Sequence, residues 1–494
     1  MSQNFLPGEL TVEMVMLTNQ EQESVDIRNL VTDITIFESI DSPFLSGRVS
    51  VADGLGILED YKITGQESLT IKYRVKTVVS DDGFTTEENS IYRTFRVFSV
   101  SDVDDVDLKL KTYVLNFVDP KLFTCRKVRI NRVLRGSMSE ILLKVLNKDA
   151  QFEKLPRQYQ IEWWEKTKGV QQIVPTNWSI MKTINYCVDN ADPEIKGPYK
   201  NSCFLYSSLN GGFKFMSLGS MLNGQFEQEI PFTFYPRNAD IDQEKYAPES
   251  PEGLSTQILS FYTQESGNTF RGLEDGAYSS KLITYDPVRK LDAEYYFDLK
   301  ENFEKNKDSH LSGFAMIRTG DFEVTHEGTD VSRDTAEAQE IFVDYPLHQT
   351  YLSGGHIEYR VNPTNAYSDE AKLIDDTTNS AKTQPVGNEF RDNAILERNA
   401  MLNLLSQFAI SVTIPMRTDI MAGQIVTLIL PKHKVSGDKN ILNDNRYLIT
   451  KIVHNVTPSQ HRGMMNLMVV PESYKNKIED IQALDNYEGP INDD

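Results

Sequence analysis

The stretch VADGLGILEDY, Val51 to Tyr61, is the first in the chain whose residue types suit ligand chemistry. A strand-like segment runs into Gly54-Leu55-Gly56 and then an acidic pair, Glu59 and Asp60, which is two-thirds of a dinucleotide fingerprint. A phosphate-cradling loop needs a third glycine for helix–strand packing, and it must open a helix whose N-terminal amides meet the pyrophosphate. Glu59 stands in place of that glycine, and a carboxylate there repels phosphate. Lys62 to Gly65 lead to a strand at Leu69, so no helix is expected to follow. The preceding GRVSV alternates Arg48 and Ser50 with Val49 and Val51 and is one-sided, whereas the strand before a true fingerprint is buried on both faces. The stretch reads as a β connection.

Other chemistry-bearing residues are scattered. The sequence has no GxxxxGK[ST], no GxSxG and no HExxH. The histidines are His310, His326, His348, His356, His433, His454 and His461. His454 falls within a strand pattern and His461 in the turn after it, so a structural role is expected rather than a metal site. Among 72 acidic residues no pair is singled out as flanking a cleft, as glycoside hydrolysis requires. Trp163-Trp164 could form a sugar-stacking platform, but such a pair more often anchors a core or an interface. The basic run KLFTCRKVRINRVLRG, Lys121 to Gly136, reads as a solvated strand face or a contact for an acidic partner, with nucleic acid as the lesser alternative. No catalytic, cofactor-binding or metal-ligating residue is therefore named, and no cofactor is expected.

The elements around these residues are those of a globular, multidomain chain. It has 494 residues, 39% hydrophobic and 25% charged, with a formal net charge of −21. Such a chain repels polyanions and is ill suited to sequence-specific nucleic-acid binding or to anionic membranes. Cys125, Cys187 and Cys203 form no CxxC, which favours a reducing compartment. MSQNFLPGEL lacks the regions of a secretory leader, and apolar runs such as Ile425–Leu430 fall far short of the ~20 residues that span a bilayer, so no membrane insertion is expected.

Residues 1–130 read as antiparallel β. Leu69, Ile71, Tyr73 and Val75 alternate with polar neighbours, Tyr113, Leu115 and Phe117 repeat the pattern, and 78–89 and Ser99–Asp107 read as polar loops. Residues 131–250 read as an α/β module. One helix starts at the capping box Ser137/Glu140; a second is capped by Thr176 or Asn177 and carries Ile180, Met181, Ile184 and Val188. Asn210-Gly211 marks a hairpin. Gly253–Gln264 reads as a helix, 291–399 as a polar insertion ending in an amphipathic helix with Ile395, Leu402 and Leu405, and 474–494 as a mobile acidic tail. Residues 251–290 and 400–473 form a second β module. Its RYLITKIVHNV strand is apolar on both faces, with Tyr447, Ile449 and Val453 on one and Leu448, Ile452 and Val456 on the other. The fold class is β-rich α+β. Without further information the chain reads as a structural or interaction protein.

The order of segments extends this reading. ITIFESIDSPFLSGRVSVADGLGILEDYKITGQESLTIKY resembles the first barrel of the baseplate hub proteins of contractile-tailed, T-even-type bacteriophages. VPTNWSIMKTINYCVDNA followed by NSCFLYSSLNGGFKFMSLGSM resembles that family's helix-then-hairpin module. PMRTDIMAGQIVTLIL and NRYLITKIVHNVTPSQHRGMMNLMVV resemble its second barrel, and the N-terminal half of type VI secretion spike proteins carries a related pattern. The resemblance implies two tail-tube-like antiparallel β-barrels with inserted α/β modules. It further implies a homotrimer that forms a pseudo-sixfold ring and encloses a DNA channel in the virion. The implied partners are a central spike, a tail tube or tube initiator, and baseplate wedge proteins, with assembly in the host cytoplasm. Alternatives of another class are a tail-associated cell-wall hydrolase and a carbohydrate-binding protein.

Overall fold

The computed structural model describes residues 7–79, 85–107, 110–152, 159–169, 171–194, 202–224, 231–234, 254–263, 269–286, 290–299, 301–302, 314–315, 356–361, 389–407, 409–431, 442–471 and 473–474. Most of the polar insertion, including 362–388, and the tail beyond Tyr474 lie outside them.

The chain opens with β1 (Leu10–Thr18), β2 (Ser24–Asp26), β3 (Val31–Ser39) and β4 (Ser46–Asp53). A helical turn, α1 (Ile57–Asp60), leads to the long strands β5 (Ser68–Val79), β6 (Thr85–Asp107) and β7 (Leu110–Val118). The alternation read in β5 holds: Leu69, Ile71, Tyr73 and Val75 are all buried in one core with Tyr113, Leu115 and Phe117 of β7. Three expectations fail here. Much of the loop read over 78–89 is strand, since Val78 and Val79 of β5 pair with Thr86 and Thr85 of β6. Ser99–Asp107 is not a loop but the second half of β6, paired with β7 through Ser101–Val114 and Asp104–Thr112 across bulges. Backbone pairing with β7 makes this ribbon a strand while its aspartates stay exposed, which masks the strand pattern. The turn α1 does follow Gly56, because the Asp53 carboxylate accepts from the amides of Leu55 and Leu58, both at 2.9 Å.

The first part of the basic run is a helix, α2 (Pro120–Lys127), whereas Arg129–Ile130 and Leu134–Gly136 within it are short paired strands, as the strand reading expected. Asp119 caps it and Pro120 fits its first turn, where no amide partner is lost. Helix α3 (Met138–Lys144) starts at the expected Ser137/Glu140 capping box. After β8 (Ile161–Trp164), helix α4 (Ile180–Asp189) is capped by Ser179, whose hydroxyl accepts from the Lys182 amide at 3.1 Å, and not by Thr176 or Asn177. The hairpin β9 (Cys203–Ser207) and β10 (Phe213–Ser217) turns at Asn210-Gly211 and continues into α5 (Leu218–Leu222). Ile141, Leu142, Ile184, Phe213 and Phe215 fill the core shared by these elements.

Short strands β11 (Phe232–Phe234), β12 (Gln257–Ile258) and β13 (Ser260–Thr263) follow. The helix expected over 253–264 is thus mostly strand, because Phe261 and Tyr262 pair with a late strand at Val412 and Ser411. A separate sheet joins β14 (Ser279–Asp286), β15 (Leu291–Asp298) and β16 (His356–Val361). Helix α6 (Glu389–Gln407) packs Leu396, Ala400 and Met401 with Leu282 and Phe297 of that sheet. The last block is β17 (Ile410–Pro415), β18 (Ile425–Pro431), β19 (Leu442–Thr457) and β20 (Arg462–Val470).

Early and late strands meet in one mainly antiparallel sheet, fourteen strands among the described residues, in the order β12-β11-β18-β19-β3-β4-β7-β6-β5-β1-β2 with β20, β17 and β13 branching from β19. Strand β19 is the shared member. One edge pairs first with β18 and then with β3, and the other pairs with β20. A bulge between Ile449 and Lys451 flips its side-chain parity. Ile449, Ile452 and Val456 therefore face one core together, and Leu448 faces a second core with Tyr206 and Leu396. The strand is two-sided, as expected, but by a different grouping. An antiparallel bridge from Glu9 to Arg462, with the Leu10 amide donating to the His461 carbonyl at 3.0 Å, brings the start of β1 to the β19–β20 hairpin.

Candidate functional site

A buried polar cluster surrounds the tip of the β9–β10 hairpin. This hairpin comes from the middle of the chain, yet its tip lies between β3 and β6 of the early strands and the loop before β18. Glu38 on β3 has no exposed side-chain surface. It accepts from the Leu209 amide at the hairpin tip at 2.9 Å, from the Ala422 amide before β18 at 2.7 Å, and from His454 Nε2 on β19 at 3.3 Å. Burial works against its charge, but these donors, His454 foremost, hold the carboxyl below its usual range.

Arg93 on β6 completes the clasp. Its guanidinium donates to the carbonyls of Leu209 at 2.8 Å and Ser208 at 2.7 Å, and also to that of Gly211. Lys214, 1% exposed, donates to Ser208 Oγ and pairs with Glu162, both at 3.0 Å. Asn210 Nδ2 donates to the Thr418 carbonyl at 2.8 Å. Gly423, at φ +83°, leaves room for the Tyr206 hydroxyl where a Cβ would collide with it. Beside the clasp, Asp119 accepts from Tyr159 OH at 2.9 Å and from the Lys121 amide at 2.8 Å. Its burial pushes the carboxyl up to about 6 despite those donors.

Every charge in this cluster is engaged by backbone groups or by an opposite charge. The arrangement fixes chain segments in place. The three cysteines are buried, and burial pushes Cys125 and Cys187 up to about 12 and Cys203 well above its usual value, so the nucleophilic thiolate is disfavoured. Trp164 packs against Phe215 with ring centroids 5.0 Å apart, and Trp163 lies against the core that holds Tyr206 and Leu448, so the pair is an anchor between two cores. His461 sits in an exposed turn apart from His454, and His356 Nδ1 lies 2.8 Å from the Glu274 carbonyl oxygen. His310, His326, His348 and His433 lie outside the described residues. Among the described residues no group of three His, Cys, Asp or Glu could hold a metal ion, and no helix is long and apolar enough to cross a membrane.

The opening GLG turn is explained by its own carboxylate. Asp53 occupies the amide cradle that a phosphate would need, and although its burial favours the neutral form, those amides hold it below the usual carboxylate range. Sequence reading missed Glu38, Arg93 and Asp119. Each looks like an ordinary charge in its own segment, and the partners that bury it are far away in sequence.

No family model matches the chain, and no curated protein matches it either. Several solved structures are similar. The 43 kDa tail protein of prophage MuSo2 from Shewanella oneidensis is 10% identical with a TM-score of 0.44, over 93% of this chain and 98% of that one. A tail protein from Neisseria meningitidis MC58 is 8% identical with a TM-score of 0.44, over 92% and 95%. The E. coli c3393 protein, described as a type VI secretion component with structural similarity to the T4 tail proteins gp27 and gp5, is 6% identical with a TM-score of 0.38, over 95% and 79%. These are phage tail and type VI secretion proteins, the class named by the sequence resemblance.

Proposed function

We propose that this chain is the hub of a phage-type baseplate, a structural protein of the virion tail with no catalytic role. Three copies form a ring, and two tail-tube-like β halves per copy give it pseudo-sixfold symmetry. The ring joins a sixfold tail tube to a trimeric central spike, with wedge proteins around it and the DNA channel through it. Assembly takes place in the host cytoplasm.

The observation that carries this reading is the shared strand β19. Its first half pairs with β18 and its second half with β3, so the early and late β blocks lie side by side in one sheet. Two β halves fused in this way are what three chains need to mimic six. The clasp on Glu38 and Arg93 supports the same role, because it ties the inserted module to both blocks. A trimer carries 3 × (−21) = −63 formal charges, and an acidic channel lets DNA slide without sticking. The buried thiols, and the half-buried Trp163 and Trp164 packed against two cores, favour neither the hydrolase nor the sugar-binding alternative.

Mass in solution tests the reading, measured on the full chain alone and with its spike protein. A stable trimer, or a complex with three hub chains per spike, is expected. A strict monomer in both conditions that lyses peptidoglycan would overturn it.

A further inference from the structure

The acidic half of β6 and the basic helix α2 stand at opposite ends of one strand. Strand β7 runs nine residues between them, which is about 27 Å at the rise of an extended chain. At its start lies the ribbon Asp102–Asp107, exposed throughout, with Val103 52% and Val106 58% exposed between its aspartates. Glu59 of α1 sits opposite, held with Asp105 by Lys111 at 2.7 and 3.3 Å. The second half of β6 is paired only with β7 among the described residues, so its other edge is open. A cleft of about 690 Å³ lies between this ribbon and the turn at Gly54–Glu59.

Past the end of β7, Asp119 turns the chain into α2. Here Arg126, Lys127 and Arg129 are exposed around Val128, and Val133 is 54% exposed just beyond. None of the three bases has an ion-pair partner among the described residues, whereas the neighbouring Arg132 is engaged by Asp149 through two bonds of 2.6 Å. The two surfaces share one pattern with opposite sign: charges alternate with exposed valines. Within one chain they cannot meet, because β7 is paired on both sides and holds them apart.

We propose that the acidic ribbon at the start of β7 docks onto the basic end of α2 in a second copy of this chain. The contact joins two different surfaces, so it is heterologous, and with a rotation of one third of a turn per copy its repetition closes a ring of three. Nucleic acid is the less favoured occupant of the basic end, because the chain around it carries a net charge of −21. The inference rests on the homotrimer proposed above and assigns its interface.

Charge reversal on the full chain tests it. The D102K/D104K and R126E/R129E variants change exposed side chains only, and thermal unfolding checks that both are folded. Each alone is expected to weaken self-association by at least about tenfold, because like charges then face each other. The four substitutions together swap the two ends and are expected to restore it. Wild-type association is also expected to weaken as salt rises from low to molar concentration. If the wild type is trimeric and both double variants remain trimeric, this interface is wrong while the hub reading stands. If R126E/R129E stays trimeric but loses retention of duplex DNA, the basic end is a nucleic-acid surface and the inference is overturned. A wild type that never forms a trimer defeats the hub reading itself.

Discussion

Glu38 shows how much one buried carboxylate can be asked to hold. Two backbone amides and His454 converge on it from the hairpin tip, the loop before β18 and β19. Glu38→Gln turns an acceptor oxygen into an NH₂ that faces a backbone N–H. A loss of about 2–4 kcal/mol is expected from chemical unfolding. The pH dependence follows from direction. Glu38 is held below its unfolded value of 4.5, so its contribution is present above that value and lost as pH falls through the folded one. Asp119 has the opposite sign. Its folded value of about 6 lies above the unfolded 3.8, so its share of stability is greatest below 3.8 and is lost as pH rises toward 6. Asp119→Asn keeps the cap and the Tyr159 partner, and it is expected to flatten the stability profile between about pH 4 and 6. An unchanged slope in that window would show that Asp119 does not titrate as described. Gly423→Ala is expected to cost about 1–3 kcal/mol, since it combines a positive φ with a collision at the Tyr206 hydroxyl. Gly169→Ala, at φ +71° with open space around it, is the control and should cost less.

At the scale of elements, the hairpin β9–β10 works as a joint. Arg93→Met removes three N–H donors from the carbonyls of Ser208, Leu209 and Gly211 while keeping an unbranched apolar stem. Amide hydrogen exchange is expected to rise at residues 208–212 while β19 stays protected; uniform loss of protection would mean that the joint and the sheet open as one. Local rules made this hairpin readable, since Asn210-Gly211 specifies its turn, just as Ser137 with Glu140 specified the start of α3. The same rules failed where distant pairing decides. Ile258 and Phe261 suit a helix face as well as a strand, and only the partner Val412 settles the matter. The aspartates of 102–107 concealed a strand because its pairing is made by backbone, and Ser179 took the cap of α4 from Thr176 and Asn177 because its own hydroxyl reaches the Lys182 amide. The clasp was hidden more deeply. Glu38 and His454 are 416 residues apart, and no period or motif links them.

Across the whole molecule, the chain folds back so that its early and late strands share β19, and the inserted modules hang from that sheet. Two β halves per chain, three chains per ring and one acidic channel make up the proposed hub. The most direct test is electron microscopy of the purified assembly viewed down its axis, with rotational power measured in unsymmetrised averages. A ring of three chains with six β lobes is expected to give a dominant sixfold harmonic in the ring and a threefold one where the inserted modules project. A ring with only threefold power at the radius of the β lobes, or particles with one chain each, would contradict the proposed hub.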